Sequence, residues 1–362
     1  MPIEISRTGW LQLYTEMRSP NGFLTRNFTI KPGGIYKGDK VAIDIQRFGE
    51  DVAIAIKKCT GPNLNDFDEW TSKEFTPPAY GEAFPVDVCQ LLNRLAGVDP
   101  FSAEAVEYSA QLMALMAQGF RLIDDKIARA VELQASQVLQ TGKLTLTDKA
   151  GATVYTLDYK PKATHFPTVS VPWATVATAT PMADLQSLGN VIRADGKISS
   201  NQLFFGEAAF TNFIANDEVK SNLDNRRYEL GMIAPQFEDS GATFQGHVWV
   251  GSYLFQMWTY PDTFTSPSTG LPVPYIDTHK VIMKSDKTRL DMTSAVVPLP
   301  LGPDPRVAGL MPPRLSSRAD GFDVTPNLWS TPNGKQIFGE LESRPLLVPV
   351  QIDGFGTLNT GV

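Results

Sequence analysis

The chain has 362 residues with 32 Lys+Arg against 39 Asp+Glu, a formal net charge of −7, which excludes a generic polycation made to coat nucleic acid. Hydrophobic residues at 42% and charged residues at 20% exclude wholesale disorder. A chain of this length buries roughly 75% of its unfolded surface, enough for two or three domains.

Two cysteines, Cys59 and Cys89, have no C-x-x-C spacing, so neither a disulfide framework nor a structural zinc site is encoded. A reducing compartment is expected. The first residues, Met-Pro-Ile-Glu-Ile-Ser-Arg-Thr-Gly-Trp, carry no basic segment followed by an apolar one, and no secretion signal is read there. The most apolar helical stretch, Leu112 to Phe120, is far short of the roughly 20 residues that cross a bilayer, so no membrane association is expected.

In chain order, residues 1–22 mix Trp10, Leu11, Leu13 and Tyr14 with polar residues and no sustained period, as an arm that packs on something else would. Val41, Ile43 and Ile45 alternate, the pattern breaks at Gly49, and Val52, Ile54 and Ile56 resume it, which predicts a hairpin. Residues 59–86 carry Pro62, Pro77, Pro78 and Pro85 among Trp70, Phe75 and Tyr80 with almost no period. They predict a long irregular excursion, uncommon in a compact domain unless it has a task.

Asp99-Pro100 supplies an N-cap and a first-position proline. From there Val106, Ser109, Met113, Met116, Phe120, Ile123, Ile127 and Ala130 recur at gaps of 3 and 4, predicting a helix to about Gln140 that Gly142 stops. Its length would be on the order of 60 Å. Gly119 is its expected bend. A single broad apolar stripe with a mixed far face suits a strut across a flat subunit.

Lys143 to Tyr159 reads as a hairpin, and Thr180-Pro181 opens a short amphipathic helix through Asp184, Leu185 and Leu188. Leu203, Phe204 and Phe205 read as a buried strand followed by a helix through Ala208, Phe210, Phe213 and Ile214. Residues 246–260 read as strand, with proline loops at 261–274 and 298–313, and 338–350 as a long final strand.

Chemistry-bearing patterns are scarce. His165, His247 and His279 are mutually distant, so no H-E-x-x-H pair exists, and His247 reads as a structural histidine in an aromatic strand. No serine sits in G-x-S-x-G. Residues 33–40 begin like a P-loop, but Asp39 stands where a phosphate-binding Lys is required, which leaves a glycine-rich turn. Asp224-Asn225-Arg226-Arg227 is the most basic cluster, suited either to a solvated helix end or to carboxylates on a neighbouring chain. Asp124-Asp125-Lys126 with Arg129, and Lys284 to Asp291, read as solvated faces. No aromatic-basic stripe suggests base stacking. No catalytic, cofactor-binding or metal-ligating residue is assigned, and no enzyme activity is expected.

Several segments in order do carry a resemblance: Glu74-Phe75-Thr76-Pro77, the helix end Gln137-Val138-Leu139-Gln140-Thr141-Gly142-Lys143, Val219-Lys220 leading to Leu223-Asp224-Asn225-Arg226-Arg227, and Trp329, Phe338 and Ser343-Arg344-Pro345-Leu346. From about Phe23 onward the chain resembles the major capsid (head) proteins of lambda-type tailed bacteriophages. The resemblance implies an α+β subunit of the Hong Kong 97 phage major capsid protein fold. It implies an N-terminal arm at 1–38, an extended loop at 39–90, a peripheral domain with a spine helix at 91–178, an axial domain at 179–299, and a return to the peripheral domain with a C-terminal strand at 300–362.

The implied function is self-assembly as hexamers and pentamers into an icosahedral shell around packaged double-stranded DNA, bound without sequence preference. Implied partners are other copies of the chain, a separate scaffolding protein, a portal protein and, in some relatives, a decoration protein. No fused scaffolding segment is expected, and no motif identifies a covalent cross-link. The implied location is the virion, after assembly in the host cytoplasm. Expected inter-subunit contacts are Trp10 and Trp70 as apolar anchors, Phe75 beside them, and Glu74, Arg226 and Arg227 as charge contacts. Two alternatives stay open on residues alone: a soluble hydrolase using an Asp/Glu pair in a cleft, and another phage structural protein of tail tube or decoration type.

Overall fold

The computed structural model describes residues 22–36, 41–46, 70–87, 108–223, 231–237, 241–297, 324–333 and 335–361. In chain order the elements are β1 (Thr29–Tyr36), β2 (Val41–Gln46), β3 (Trp70–Phe75), β4 (Tyr80–Asp87), α1 (Tyr108–Thr141), β5 (Lys143–Thr147), β6 (Thr153–Asp158), α2 (Pro181–Gly196), β7 (Gln202–Phe205), α3 (Glu207–Ala215) and α4 (Asp217–Leu223). There follow β8 (Gly231–Phe237), β9 (Thr243–Val250), β10 (Tyr253–Thr259), β11 (Thr263–Thr265), β12 (Pro272–Pro274), β13 (Lys280–Lys284), β14 (Asp291–Ala295), β15 (Val324–Ser330), β16 (Gln336–Ser343), β17 (Pro345–Val348) and β18 (Phe355–Asn359). Contacts divide the chain into two units, neither continuous in sequence. The first is Met1–Asp39, Pro77–Ala135 and Asp291–Val348; the second is Lys40–Thr76, Ser136–Leu290 and Pro349–Val362.

In the first unit, α1 buries Leu112, Met116, Phe120, Ile123, Ile127 and Val131, one face at helical spacing. The antiparallel sheet β15-β16-β4 supplies Phe84, whose ring stands edge-on to Phe120 at 5.1 Å. A Cβ on Gly119 would lie 2.3 Å from that ring, and one on Gly339 2.6 Å. The mid-helix glycine therefore admits a ring, and the helix runs unbroken past it. In the second sheet, β1 runs parallel to β14 and β14 antiparallel to β17. Gly33 and Gly34 fall where the register slips between Ile30 and Ile35, so the expected glycine turn is an irregularity within a strand.

The second unit is built on the sheet β18-β13-β7-β10-β9-β8, with β7 and β10 parallel and the other neighbours antiparallel. Helix α2 starts at Pro181 after Thr180, as its N-cap pair predicts, and ends at a left-handed Lys197. It buries Met182, Leu185, Leu188 and Ile192 in one cluster with Phe205, Phe213, Val248, Phe255, Val281 and Met283. The hairpin β5–β6 forms where alternation placed it.

Several expectations are corrected. Residues 246–260 are not one strand. The Gly251-Ser252 pair turns the chain, and Leu254 returns opposite Trp249. The excursion 59–86 contains β3 and β4. Strand β4 fully buries only Val86, so no alternation marks it in the sequence. The tail is not one strand either: β16 joins β15 and β4, whereas β17, beyond Arg344, joins β14. The described partner of β2 is β3. The predicted arm, the return at 52–56, the helix start at Asp99-Pro100 and the 298–313 loop lie outside the described residues.

Charged faces read as solvated are partly interior. Asp124 and Asp291 are buried, and Lys284 is 3% exposed. Its Nζ donates to the Ser285 carbonyl at 3.1 Å and stands 5.8 Å from the centre of the Phe204 ring. Burial lowers the Lys284 pKa to about 8, against an ordinary lysine near 10.5. The folded state therefore holds this proton less tightly than the unfolded one. Keeping the ammonium charged costs about 3 kcal/mol below pH 8, and that cost fades as pH rises toward the unfolded value. Urea midpoints should accordingly rise between about pH 8 and pH 10. Lys284→Met should flatten that rise and be at least as stable as the parent at pH 7. A flat parental profile would refute the assignment.

Candidate assembly surface

Strands β2 and β3 form a two-stranded sheet of their own, paired from Val41 opposite Phe75 to Gln46 opposite Trp70. Gln46 and Trp70 therefore face each other as the two ends of segment 47–69. Among the described residues no third strand joins this ribbon, and a two-stranded ribbon by itself is marginal in water. Its root is fastened. The Phe75 ring packs 5.4 Å from Tyr159, and the Tyr155 hydroxyl donates to the Thr76 carbonyl. Burial pushes the Tyr155 phenol up to about 12 and holds Tyr159 well above its ordinary value, so both remain neutral hydroxyls.

The expected contact residues are distributed unevenly over this ribbon. Trp70 opens β3, and Glu74 is exposed, opposite Ala42. Phe75 is buried against Tyr159 of its own chain, where the hairpin after α1 supplies cover. Trp10, Arg226 and Arg227 lie outside the described residues.

A second fastening was missed by sequence reasoning. Glu132 of α1 is 3% exposed, and among the described residues its carboxylate is held by backbone and hydroxyl donors. Oε1 accepts the Leu24 N–H at 2.7 Å, and Oε2 accepts the Thr25 N–H at 2.9 Å and the Thr25 hydroxyl at 2.5 Å. The carboxylate thus caps the 3₁₀ turn Thr25–Asn27 from another element. The available signal was an acid set between Val131 and Ala135 on the apolar stripe of a long helix.

Exposed apolar side chains cluster on the second unit. Trp249 and Leu254, directly opposite on β9 and β10, are 43% and 40% exposed, and Val154 and Leu271 stand on hairpins. On the first unit, Glu340 and Glu342 share one face of β16. Burial first, then Glu340 beside it, raises the Glu342 carboxyl.

Catalytic requirements fare differently. A cavity of about 570 Å³ in the second unit is lined by Lys143, Lys160 and Lys280 with one carboxylate, Asp158, which is paired to Lys143 at 2.9 Å. One carboxylate does not make the acid–base pair that a glycoside hydrolase needs. Among the described residues no three His, Cys, Asp or Glu converge as metal ligands. His247 packs edge-on against Phe244, as a structural histidine does. His165 is held by the Phe355 carbonyl at 2.9 Å and by Asp195 at 3.1 Å. Lys162 and then His165 hold the Asp195 carboxyl below its ordinary range.

Comparison with known proteins places this architecture. No curated protein sequence matches the chain. Among solved structures, a prophage protein of E. coli CFT073 described as a capsid protein is similar, with a TM-score of 0.55 at 14% identity, over 80% of this chain and 79% of that one. A phage-related protein from Bordetella bronchiseptica RB50 is similar over 97% and 96% of the two chains, with a TM-score of 0.51 at 9% identity. At these identities the likeness is one of fold, that of Hong Kong 97-like phage capsid proteins. The family model described as phage major capsid protein E matches residues 14–358, nearly the whole chain. The chain belongs to the phage major capsid protein E family, and its role is to form the capsid shell.

Proposed function

We propose that the protein assembles as hexamers and pentamers into an icosahedral head shell that encloses packaged double-stranded DNA. The ribbon β2–β3 carries this reading: a two-stranded sheet rooted by Phe75 and Tyr155, with paired ends that emit residues 47–69, is an element that needs a second wall. The domain assignment of the resemblance goes with it: arm 1–38, extended loop 39–90, peripheral domain with spine helix 91–178, axial domain 179–299 and return 300–362. Trp10, Trp70, Glu74, Phe75, Arg226 and Arg227 are the proposed contacts between copies, and Phe75 also holds the loop root.

Individual contacts need be worth only a few kcal/mol, because closing a shell engages many at once. Weak contacts also permit misplaced copies to leave. The net charge of −7 suits a wall that confines DNA without adhering to it, since phosphate neutralisation by Lys and Arg is what makes binding sticky. The protein acts as a structural element without catalysis of its own, beside a separate scaffolding protein, a portal protein and a decoration protein. It would assemble in the host cytoplasm and reside in the virion.

Electron microscopy of the protein co-expressed with its scaffold should show shells or tubes. A strictly monomeric state under all conditions would overturn the proposal. Trp70→Ala should leave the melting temperature of the monomer unchanged while lowering the assembled fraction at least tenfold by sedimentation. Loss of the monomer fold would instead assign Trp70 to the subunit's own core.

A further inference from the structure

We infer that Glu132 is a positioning residue for assembly: its buried carboxylate fixes the point and direction at which the N-terminal arm leaves the spine helix. The inference rests on the arm reading proposed above.

The carboxylate spends its acceptors on one target. Three donors reach it, the N–H groups of Leu24 and Thr25 and the Thr25 hydroxyl, all from the segment that leads into the arm. A carboxylate accepting several short hydrogen bonds at low exposure is among the stronger noncovalent holds available to a chain. The helix does not require it, because α1 is closed by its own backbone bonds and its stripe from Leu112 to Val131 packs without Glu132. The strap does require it. Between Gly22 and Thr29 the described backbone bonds are turn bonds at 2.9–3.4 Å, and the first sheet pairing begins at Thr29.

Close approach narrows the direction further. A Cβ on Gly22 would lie 2.0 Å from Glu132 Oε2, so the backbone passes directly over the carboxylate. On the other side of the clamp, Phe23, Leu24 and Phe28 are buried. Together these hold residues 22–28 in one orientation at a fixed level of the helix. An arm rooted this firmly can reach a neighbouring subunit only along the line that Gly22 sets. A shell built from one repeated contact depends on that line being identical in every copy.

The test uses the full-length chain. Glu132→Gln keeps the size of the side chain, removes one acceptor oxygen and turns an amide donor toward the N–H of either Leu24 or Thr25. Hydrogen–deuterium exchange of the peptide spanning 22–28 should accelerate at least tenfold, and exchange in the β5–β6 hairpin should stay unchanged. The assembled fraction should fall at least tenfold, or its products should change from shells to irregular aggregates. Thr25→Ala removes one of the three bonds without touching the helix and should give a smaller change of the same kind.

Normal shells from Glu132→Gln with accelerated exchange at 22–28 would overturn the inference, leaving the carboxylate a local cap only. If Glu132→Gln fails to fold, Thr25→Ala decides: reduced assembly supports the inference, and parental assembly with faster exchange refutes it. The paired change Trp10→Ser and Tyr14→Ser tests the arm separately. Parental assembly in that variant would refute the arm reading itself, whatever Glu132 does.

Discussion

Trp173→Ala is expected to lower the stability of the second unit by about 3–5 kcal/mol, the usual cost of emptying a large aromatic site. Trp173 is fully buried, its ring centre lies 5.8 Å from that of Phe213, and Phe213 lies 5.3 Å from Phe205 in the same cluster. The indole also has a polar duty. Nε1 donates to Asp184 Oδ2 at 2.9 Å, which ties the loop before α2 to the first turn of that helix, and the Trp173 N–H reaches the Thr360 carbonyl at 3.0 Å. Trp173→Phe should therefore cost less, about 1–2 kcal/mol, because it keeps most of the apolar area and loses the bond to Asp184. Urea unfolding followed by near-UV circular dichroism reads both. A loss below about 1 kcal/mol for Trp173→Ala would mean that the indole is not the centre of this core.

Gly119→Val should cost about 3 kcal/mol in the first unit, although replacing a mid-helix glycine ordinarily helps. Removing glycine gains up to about 1 kcal/mol of helix propensity relative to alanine, less for a β-branched residue. Against that, the new Cβ would lie 2.3 Å from the Phe84 ring, and the ring has little room to retreat. Phe120 stands 5.1 Å away, and Gly339 is so close that its own Cβ would be 2.6 Å from the ring. Overpacking of this kind costs about 1–3 kcal/mol for one methyl group, and valine adds more. Even Gly119→Ala should be net destabilising. The double variant Gly119→Ala with Phe84→Leu should recover part of the loss in a thermal-unfolding cycle, since the two sites are in contact. Additive losses would show that Phe84 does not fill the space above Gly119.

How much of this was legible depends on whether one element's own neighbours decide its pattern. Helix α1 and the hairpin β5–β6 announce themselves because each buries one face, and α2 carries its start signal in Thr180-Pro181. Strand β4 does not, because it fully buries only Val86 and is a strand only by virtue of β16, some 250 residues later. The division of the tail at Arg344 is likewise set by which sheet receives each half. Charge composition misled at Lys284 and Asp124, since hydropathy cannot distinguish a solvated charge from one held inside by a ring or by partners. At the assembly surface, Trp70 and Glu74 were legible as residues without an obvious home, whereas Phe75 found one in Tyr159. The role of Glu132 was invisible because its ligands lie 107 and 108 positions earlier in the chain.

The parallel pairing of β1 with β14 places Thr29 beside Asp291. A ribosome adding about 5–20 residues per second needs on the order of tens of seconds to bring the second of these strands out after the first. Until then the earlier strand has no ladder to join, and the other unit is open as well, since its β18 joins β13 only when the last residues emerge. Such non-local closure is intrinsically slow. Both units of the nascent subunit thus close only as translation ends, which delays the folded surfaces through which copies would meet.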